Sequence, residues 1–114
     1  MEENQRPWGN YKTLHNEDNF LLKKITVKPS SKLSLQSHEH RSEYWIIISG
    51  KGNVVIGDDT IYVAKRSFVY IPKKVKHRIV NECFTENLVF VEVQVGNILS
   101  EDDITRYQDD YGRS

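Results

Sequence analysis

The sequence is short of cysteine, of net charge and of long apolar runs, and each shortage excludes something. Cys83 is the single cysteine among 114 residues. No internal disulfide can form, and one thiol suits a reducing cytosol. Sixteen basic side chains balance sixteen acidic ones, so no global field draws the chain to nucleic acid or to an anionic membrane. No apolar run approaches the ~20 residues of a membrane span. The start, MEENQRPWGN, has neither the basic nor the apolar region of a signal peptide. Internal repeats and low-complexity segments are missing too. The expectation is a small, soluble, cytoplasmic protein. Its residues 1–114 amount to one domain with room for one real core.

What is present is a succession of short β-type runs broken by turn signals. Phe20 to Val27 ends at Lys28-Pro29-Ser30-Ser31. Leu33 to His38 alternates, so Ser34, Gln36 and His38 share one face and Leu33 and Leu35 the other. Glu43 to Ser49 stops at Gly50-Lys51-Gly52. Val54 to Gly57 and Thr60 to Ala64 read as a hairpin around Gly57-Asp58-Asp59. Ser67 to Ile71 leads into the turn Pro72-Lys73-Lys74-Val75-Lys76, and His77 to Val80 follows it. Leu88 to Val95 sets Val89, Val91, Val93 and Val95 against Phe90, Glu92 and Gln94. About eight short strands at even spacing predict an all-β sandwich or barrel. Only Ser100-Glu101-Asp102-Asp103-Ile104 resembles a helix start, with a serine N-cap and acids in the first turn.

Two of the four histidines lie in one stretch, SLQSHEHRSEYW, residues 34–45. Gln36 and His38 project to one face, and His40 joins them if the strand continues. A turn over Glu39 to Ser42 brings the Glu43 carboxylate back beside His38. His77 stands in a second strand context after its turn. Imidazole and carboxylate together suit a divalent transition metal such as zinc, manganese, iron or nickel. An ordinary polar turn carrying half-exposed His38 and His40 fits the same spacing. Spacing alone does not choose.

The wider pattern resembles the two cupin motifs. The first is a His-x-His pair, then Glu, then Gly with six residues intervening, and Glu43 and Gly50 keep that last separation. The second is Pro-x-Gly-x-x-His-x-x-x-Asn, matched by Pro72, Lys74, His77 and Asn81. Aligned on Glu43, cupin spacing puts the first ligands at Gln36 and His38 rather than at His38 and His40. The resemblance therefore implies the set Gln36, His38, Glu43 and His77. A Gln-x-His start is that of phosphomannose isomerases. Arg6-Pro7-Trp8-Gly9, LSLQSHEHRSEYW, Ile71-Pro72 through His77-Arg78, Glu92-Val93-Gln94 and EDDITRYQDDYGR occur in that family's order. The chain is thus similar to the C-terminal isomerase domain of type II mannose-6-phosphate isomerases, bifunctional enzymes that also carry a mannose-1-phosphate guanylyltransferase domain. No Gly-rich phosphate-cradling loop precedes Arg6, so a stand-alone isomerase-type cupin is expected. Three residues depart from the family. Tyr44 stands where a histidine is frequent, Ser30 replaces the glycine after Pro29, and Lys74 replaces the motif glycine. None of them removes a proposed ligand.

The resemblance implies an all-β cupin, a double-stranded β-helix or jelly-roll barrel, with a short C-terminal helical or extended tail. It also implies metal-dependent interconversion of mannose 6-phosphate and fructose 6-phosphate, in the service of GDP-mannose and polysaccharide synthesis. Zinc is the first choice of ion, with manganese, iron, cobalt and nickel behind it. Such a reaction moves a proton between neighbouring sugar carbons through an enediol. It needs an electrophile, a base and a cationic seat for phosphate. His40 is a candidate base beside the ligands, and Glu92, with Gln94, is a second candidate if that face of the strand points inward. Arg41 can bind phosphate in two-pronged fashion or stabilise an enediolate oxygen. Lys24, Lys76 and Arg78 are weaker phosphate candidates, while Trp8 and Trp45 read as core or interface. Outward valines on the last strand would need covering, which makes a homodimer the expected assembly. A guanylyltransferase is the expected functional partner. A non-catalytic sugar-binding or accessory cupin and a small iron cupin dioxygenase are the competing readings.

Overall fold

The computed structural model describes residues 3–108, which form twelve strands and no helix. In chain order they begin β1 (Glu3–Arg6), β2 (Gly9–Asn16), β3 (Phe20–Val27), β4 (Ser31–Lys32), β5 (Leu35–Ser37) and β6 (Arg41–Ser49). They continue with β7 (Lys51–Ile56), β8 (Asp59–Ala64), β9 (Phe68–Ile71), β10 (His77–Asn81), β11 (Leu88–Gly96) and β12 (Thr105–Gln108). One sheet runs β1-β2-β3-β11-β6-β9 and the other β12-β5-β10-β7-β8, with β4 also on β10. Neighbours are antiparallel throughout these sheets.

Antiparallel sheets that cover one core must alternate buried and exposed residues. In β6, Arg41, Glu43, Trp45 and Ile47 are buried while Tyr44, Ile46 and Ile48 are exposed. In β11, Leu88, Phe90, Glu92 and Gln94 point inward and the valines outward. Register then stacks like on like. Phe90 faces Ile47, Glu92 faces Trp45, and Gln94 faces Glu43. The interior is therefore apolar at one end, around Val27, Val54, Ile79 and Leu88, and polar at the other, around Lys23, Arg41, Glu43, His77 and Glu92. Each fully buried apolar side chain contributes about 1.5–3 kcal/mol. The polar end offsets some of that gain, because buried charges must be paired.

The turns keep the backbone that the family's glycines would supply. Ser30 has φ 55° and Lys74 φ 68°, at the two positions where the resemblance expects glycine. A non-glycine residue in this left-handed region costs roughly 1–2 kcal/mol. The Lys74 turn is retained because its N–H donates to the His38 carbonyl at 2.7 Å, which ties the second motif to the first. Gly57, at φ 58°, closes the expected hairpin between β7 and β8.

Two expectations are corrected and two strands are added. The helix start at Ser100–Ile104 is a turn, in which the Asp103 N–H donates to the Ser100 carbonyl at 3.1 Å. Its acids serve tertiary contacts instead of a helix dipole. The Asp103 carboxylate accepts the backbone N–H groups of Glu39 and His40, each at 2.9 Å, and Glu101 pairs with Lys23. The chain then extends into β12 against β5, while the remainder of the expected tail, residues 109–114, lies outside the described residues. The expected run from Leu33 to His38 is shortened to β5, Leu35–Ser37, with Leu33, Ser34 and His38 outside it. Finally, β1 and β2 escape the pattern because they are half-polar strands toward a sheet edge, with no clean alternation. Among the described residues no helix is long and apolar enough to cross a membrane.

Candidate metal centre and its cavity

The polar end of the barrel gathers three metal-ligating side chains that the two motifs position. His38 leaves β5, Glu43 lies on β6 and His77 opens β10. Their ligand atoms lie within 4.8 Å of one another and all three residues are buried. Gln36 sits beside His77, its Cα partner across β5 and β10, and lines the same cavity. Its amide nitrogen lies 3.3 Å from the Ser34 carbonyl and 3.2 Å from the Ser34 hydroxyl. That ties down the end of the amide that cannot ligate a metal.

Hydrogen bonds fix both imidazoles in the same sense. His38 donates from Nδ1 to the Asp103 carbonyl at 2.7 Å, and His77 from Nδ1 to the Val75 carbonyl at 3.0 Å. In each ring Nε2 is then the nitrogen with the lone pair, the arrangement of metal-binding histidines. His38 Nε2 stands 3.3 Å from Glu43 Oε2. Burial depresses His38 to about 4, against an upward pull from Glu43, and His77 is depressed for the same first reason. Both rings are neutral near pH 7 and need lose no proton to ligate. Burial alone would raise Glu43, but Arg41, His77 and His38 outweigh it and hold the carboxyl down at about 2. One carboxylate and two lone-pair nitrogens, with an amide beside them, are a fitting donor set for a divalent transition ion.

The surroundings are equally defined. Arg41 donates from Nε to Glu43 Oε2 at 2.8 Å and from Nη1 to the Ser100 carbonyl at 3.3 Å, and its Nη2 lies 3.2 Å from His38 Nε2. Trp45 donates from Nε1 to the other Glu43 oxygen at 2.9 Å. This is a role for Trp45 beyond the core packing its sequence suggests. Glu92 lines the cavity and accepts from Gln94 Nε2 at 2.7 Å. Burial raises its carboxyl to about 8, assisted by the negative charge and a hydrogen bond of Glu43 and opposed by Lys23 and Arg41. Gln94, only 1% exposed, holds Glu92 rather than lining the cavity itself.

Of the other expected site residues, Arg78 reaches the cavity and His40, Lys24 and Lys76 do not line it. His40 is exposed, and its backbone N–H donates to Asp103. Alternation puts Lys24 on the outer face and its neighbour Lys23 inside. Lys76 covers the Tyr107 ring at 4.3 Å on the exterior. Arg78 is buried at the cavity wall, but it donates to the Leu33 carbonyl at 2.8 Å and to Gln108 at 3.2 and 3.3 Å, clamping β12. Lys23 was detectable from the sequence, since Ile25 and Val27 two and four places on mark the inward face. Asp103 and Glu101 were not, because their partners are distant in sequence and lie across a turn.

A fold and site of this kind have relatives. The profile of the mannose-6-phosphate isomerase C-terminal domain matches residues 1–109. Xanthan biosynthesis protein XanB of Xanthomonas campestris is 45% identical over 109 residues, covering 96% of this chain and 23% of XanB. A mannose-1-phosphate guanylyltransferase of Escherichia coli is 39% identical over 108 residues, covering 95% of this chain and 22% of that protein. The chain thus spans less than a quarter of the length of these relatives. A double-stranded β-helix protein of Klebsiella pneumoniae superposes with a TM-score of 0.74 at 14% identity, covering 85% of this chain and 82% of that one. A putative sugar phosphate isomerase of Acidithiobacillus ferrooxidans superposes with a TM-score of 0.61 at 25% identity, covering 68% and 50%. The cupin fold, the Gln36-to-His77 spacing and the full-length profile match agree: this chain belongs to the mannose-6-phosphate isomerase C-terminal family.

Proposed function

We propose that the chain is a metal-dependent sugar-phosphate isomerase that interconverts mannose 6-phosphate and fructose 6-phosphate. The observation that carries this reading is the buried His38, Glu43 and His77 cluster opening on a cavity that also holds Glu92 and Arg41. A divalent ion held by these three and Gln36, zinc being the first choice, supplies the electrophile for the sugar's carbonyl and hydroxyl oxygens. Glu92 is the base. It takes the proton from the carbon beside the carbonyl and returns it to the neighbouring carbon, while Gln94 holds its carboxylate in place. Its raised pKa suits a group that must carry a proton and release it within one turnover. Arg41, fixed by Glu43, presents its guanidinium to the enediolate oxygens. His40 is exposed and does not line the cavity, so the base is assigned to Glu92 instead.

A cytoplasmic enzyme feeding GDP-mannose synthesis, beside a mannose-1-phosphate guanylyltransferase, is the setting that the relatives support. The outer sheet face suits a second copy. Tyr44 stacks with Tyr70 at 4.9 Å, and Ile46, Ile48 and the 81%-exposed Phe68 extend the patch beside the valines of β11. Exposed side chains of this kind on one sheet face are what an interface between copies covers. Glu in place of Phe68 is expected to shift the sedimentation mass from two chains to one. A wild-type mass of one chain overturns the dimer.

The function itself is tested by a coupled assay for fructose 6-phosphate formed from mannose 6-phosphate. Turnover with added zinc, manganese, cobalt or nickel, and its loss on chelation, is the expected result. Silence with every one of these ions overturns the reading, and oxygen uptake in the presence of iron points to a dioxygenase.

A further inference from the structure

We propose that Lys23, with Arg6 beside it on the Tyr11 ring, is the seat for the substrate's phosphate, and that the Glu101 carboxylate occupies that seat as a stand-in. The inference rests on the sugar-phosphate reading and names the residues that would recognise its anionic end. Lys23 is only 5% exposed, and it points into the cavity rather than away from it. Its ammonium lies 4.2 Å from the centre of the Tyr11 ring, while the Arg6 guanidinium lies 4.9 Å from the same ring and donates to the Tyr11 hydroxyl at 3.1 Å. All three residues line the cavity wall.

The counter-charge comes from elsewhere in the chain. Glu101 reaches Lys23 at 2.6 Å from the turn before β12, with its own side chain 60% exposed. A buried ammonium is costly unless it is paired, so some anion has to be present. Burial alone would raise the Glu101 carboxyl, but Lys23 outweighs it and holds it below the usual carboxylate range, so displacing it takes an anion of greater charge than a carboxylate. Phosphate brings more charge and three acceptor oxygens to the same place. Of the arginines that line the cavity, Arg41 is bonded to Glu43 and Ser100, and Arg78 to Leu33 and Gln108. Lys23 is also the cross-strand partner of Glu92. An anion on its ammonium is therefore within one hexose chain of the proposed base.

A purely structural latch makes the opposite forecast for Glu101. If the pair exists only to pin the turn, Glu101→Gln loosens the cavity wall and weakens sugar-phosphate binding. If Glu101 is a competitor, the same change strengthens it. Calorimetric titration of the metal-loaded protein with mannose 6-phosphate, mannose and inorganic phosphate decides between them. Glu101→Gln is expected to tighten mannose 6-phosphate and phosphate about threefold and to leave mannose unchanged. Lys23→Met is expected to weaken mannose 6-phosphate about tenfold, and Lys23→Arg to restore most of that loss. Should Lys23→Met fail to fold, the surface change at Glu101 still separates competitor from latch. Weaker phosphate binding in Glu101→Gln, or an undiminished preference for mannose 6-phosphate in Lys23→Met, overturns the seat. Phosphate-selective binding without turnover keeps the seat and removes the isomerase. Turnover with a phosphate preference indifferent to Lys23 does the reverse.

Discussion

Alanine at His38 is expected to abolish metal retention and turnover together while leaving a folded protein. The imidazole supplies one of three clustered ligand atoms, and its removal leaves Glu43 bonded to Arg41 and Trp45 but with one ligand fewer beside it. Loss of an outer partner of a metal ligand already costs 10–100-fold in affinity, so loss of the ligand itself should exceed about a hundredfold. Elemental analysis after dialysis reads the metal, and the coupled assay reads the turnover. Circular dichroism controls for the fold, since His38 also holds the Asp103 carbonyl. Metal content unchanged from wild type would place the ion elsewhere. The same experiment carries a pH signature. Burial depresses both His38 and His77 below the ordinary histidine value, so protons compete weakly for their lone pairs, and the wild-type protein should keep its metal at about pH 6 and lose it only on further acidification.

Much of this site was legible in the sequence, and what was missed has a common physical cause. The count back from Glu43 picks out Gln36, which the structure places beside His77 as its register partner on the neighbouring strand and on the same cavity. Alternation correctly separates Glu92 and Gln94 from the valines of β11, and Tyr44 from Glu43 and Trp45, because a period of two is a local property. It fails where strand continuity fails. His40 shares parity with Gln36 and His38, but β5 ends at Ser37, and the chain turns His40 outward onto Asp103. The three acids at 101–103 satisfy every local rule for a helix start. Two of them, Glu101 and Asp103, are diverted by partners more than sixty residues away, namely Lys23 for the first and Glu39 and His40 for the second, which no window of sequence reports. The turn residues Ser30 and Lys74 offer the converse lesson. Their side chains argue against left-handed backbone, yet tertiary hydrogen bonds from Ser30 to Cys83 and from Lys74 to His38 impose it.

Glutamine at Glu92 should give an enzyme that binds metal, folds more stably than wild type and scarcely turns over. The change keeps the shape and removes only the carboxylate that is to carry the proton. General-base catalysis contributes about 10²–10⁴-fold, so kcat is expected to fall by that range while metal content stays at the wild-type level. Glu92 is not among the clustered ligands, which is why the two variants separate: His38→Ala loses ion and rate, Glu92→Gln the rate alone. The stability effect follows from linkage. In the fold, burial and the neighbouring Glu43 charge raise the Glu92 carboxyl to about 8, against a reference near 4.3. A carboxyl raised in this way stabilises the fold fully only below its unfolded value, and that contribution is lost as the pH climbs toward 8. Glutamine carries no such liability. Chelator-treated Glu92→Gln should therefore resist urea better than chelator-treated wild type, with a difference that grows from pH 4.5 to pH 8 and then levels. A kcat within about fivefold of wild type would move the base to another group. Lost activity with no gain in stability at pH 8 would mean that Glu92 is ionised within the fold, held so by Lys23 and Arg41. The expected gain, by contrast, marks the wild-type carboxyl as one that the protein retains at a cost in stability for the sake of its proton.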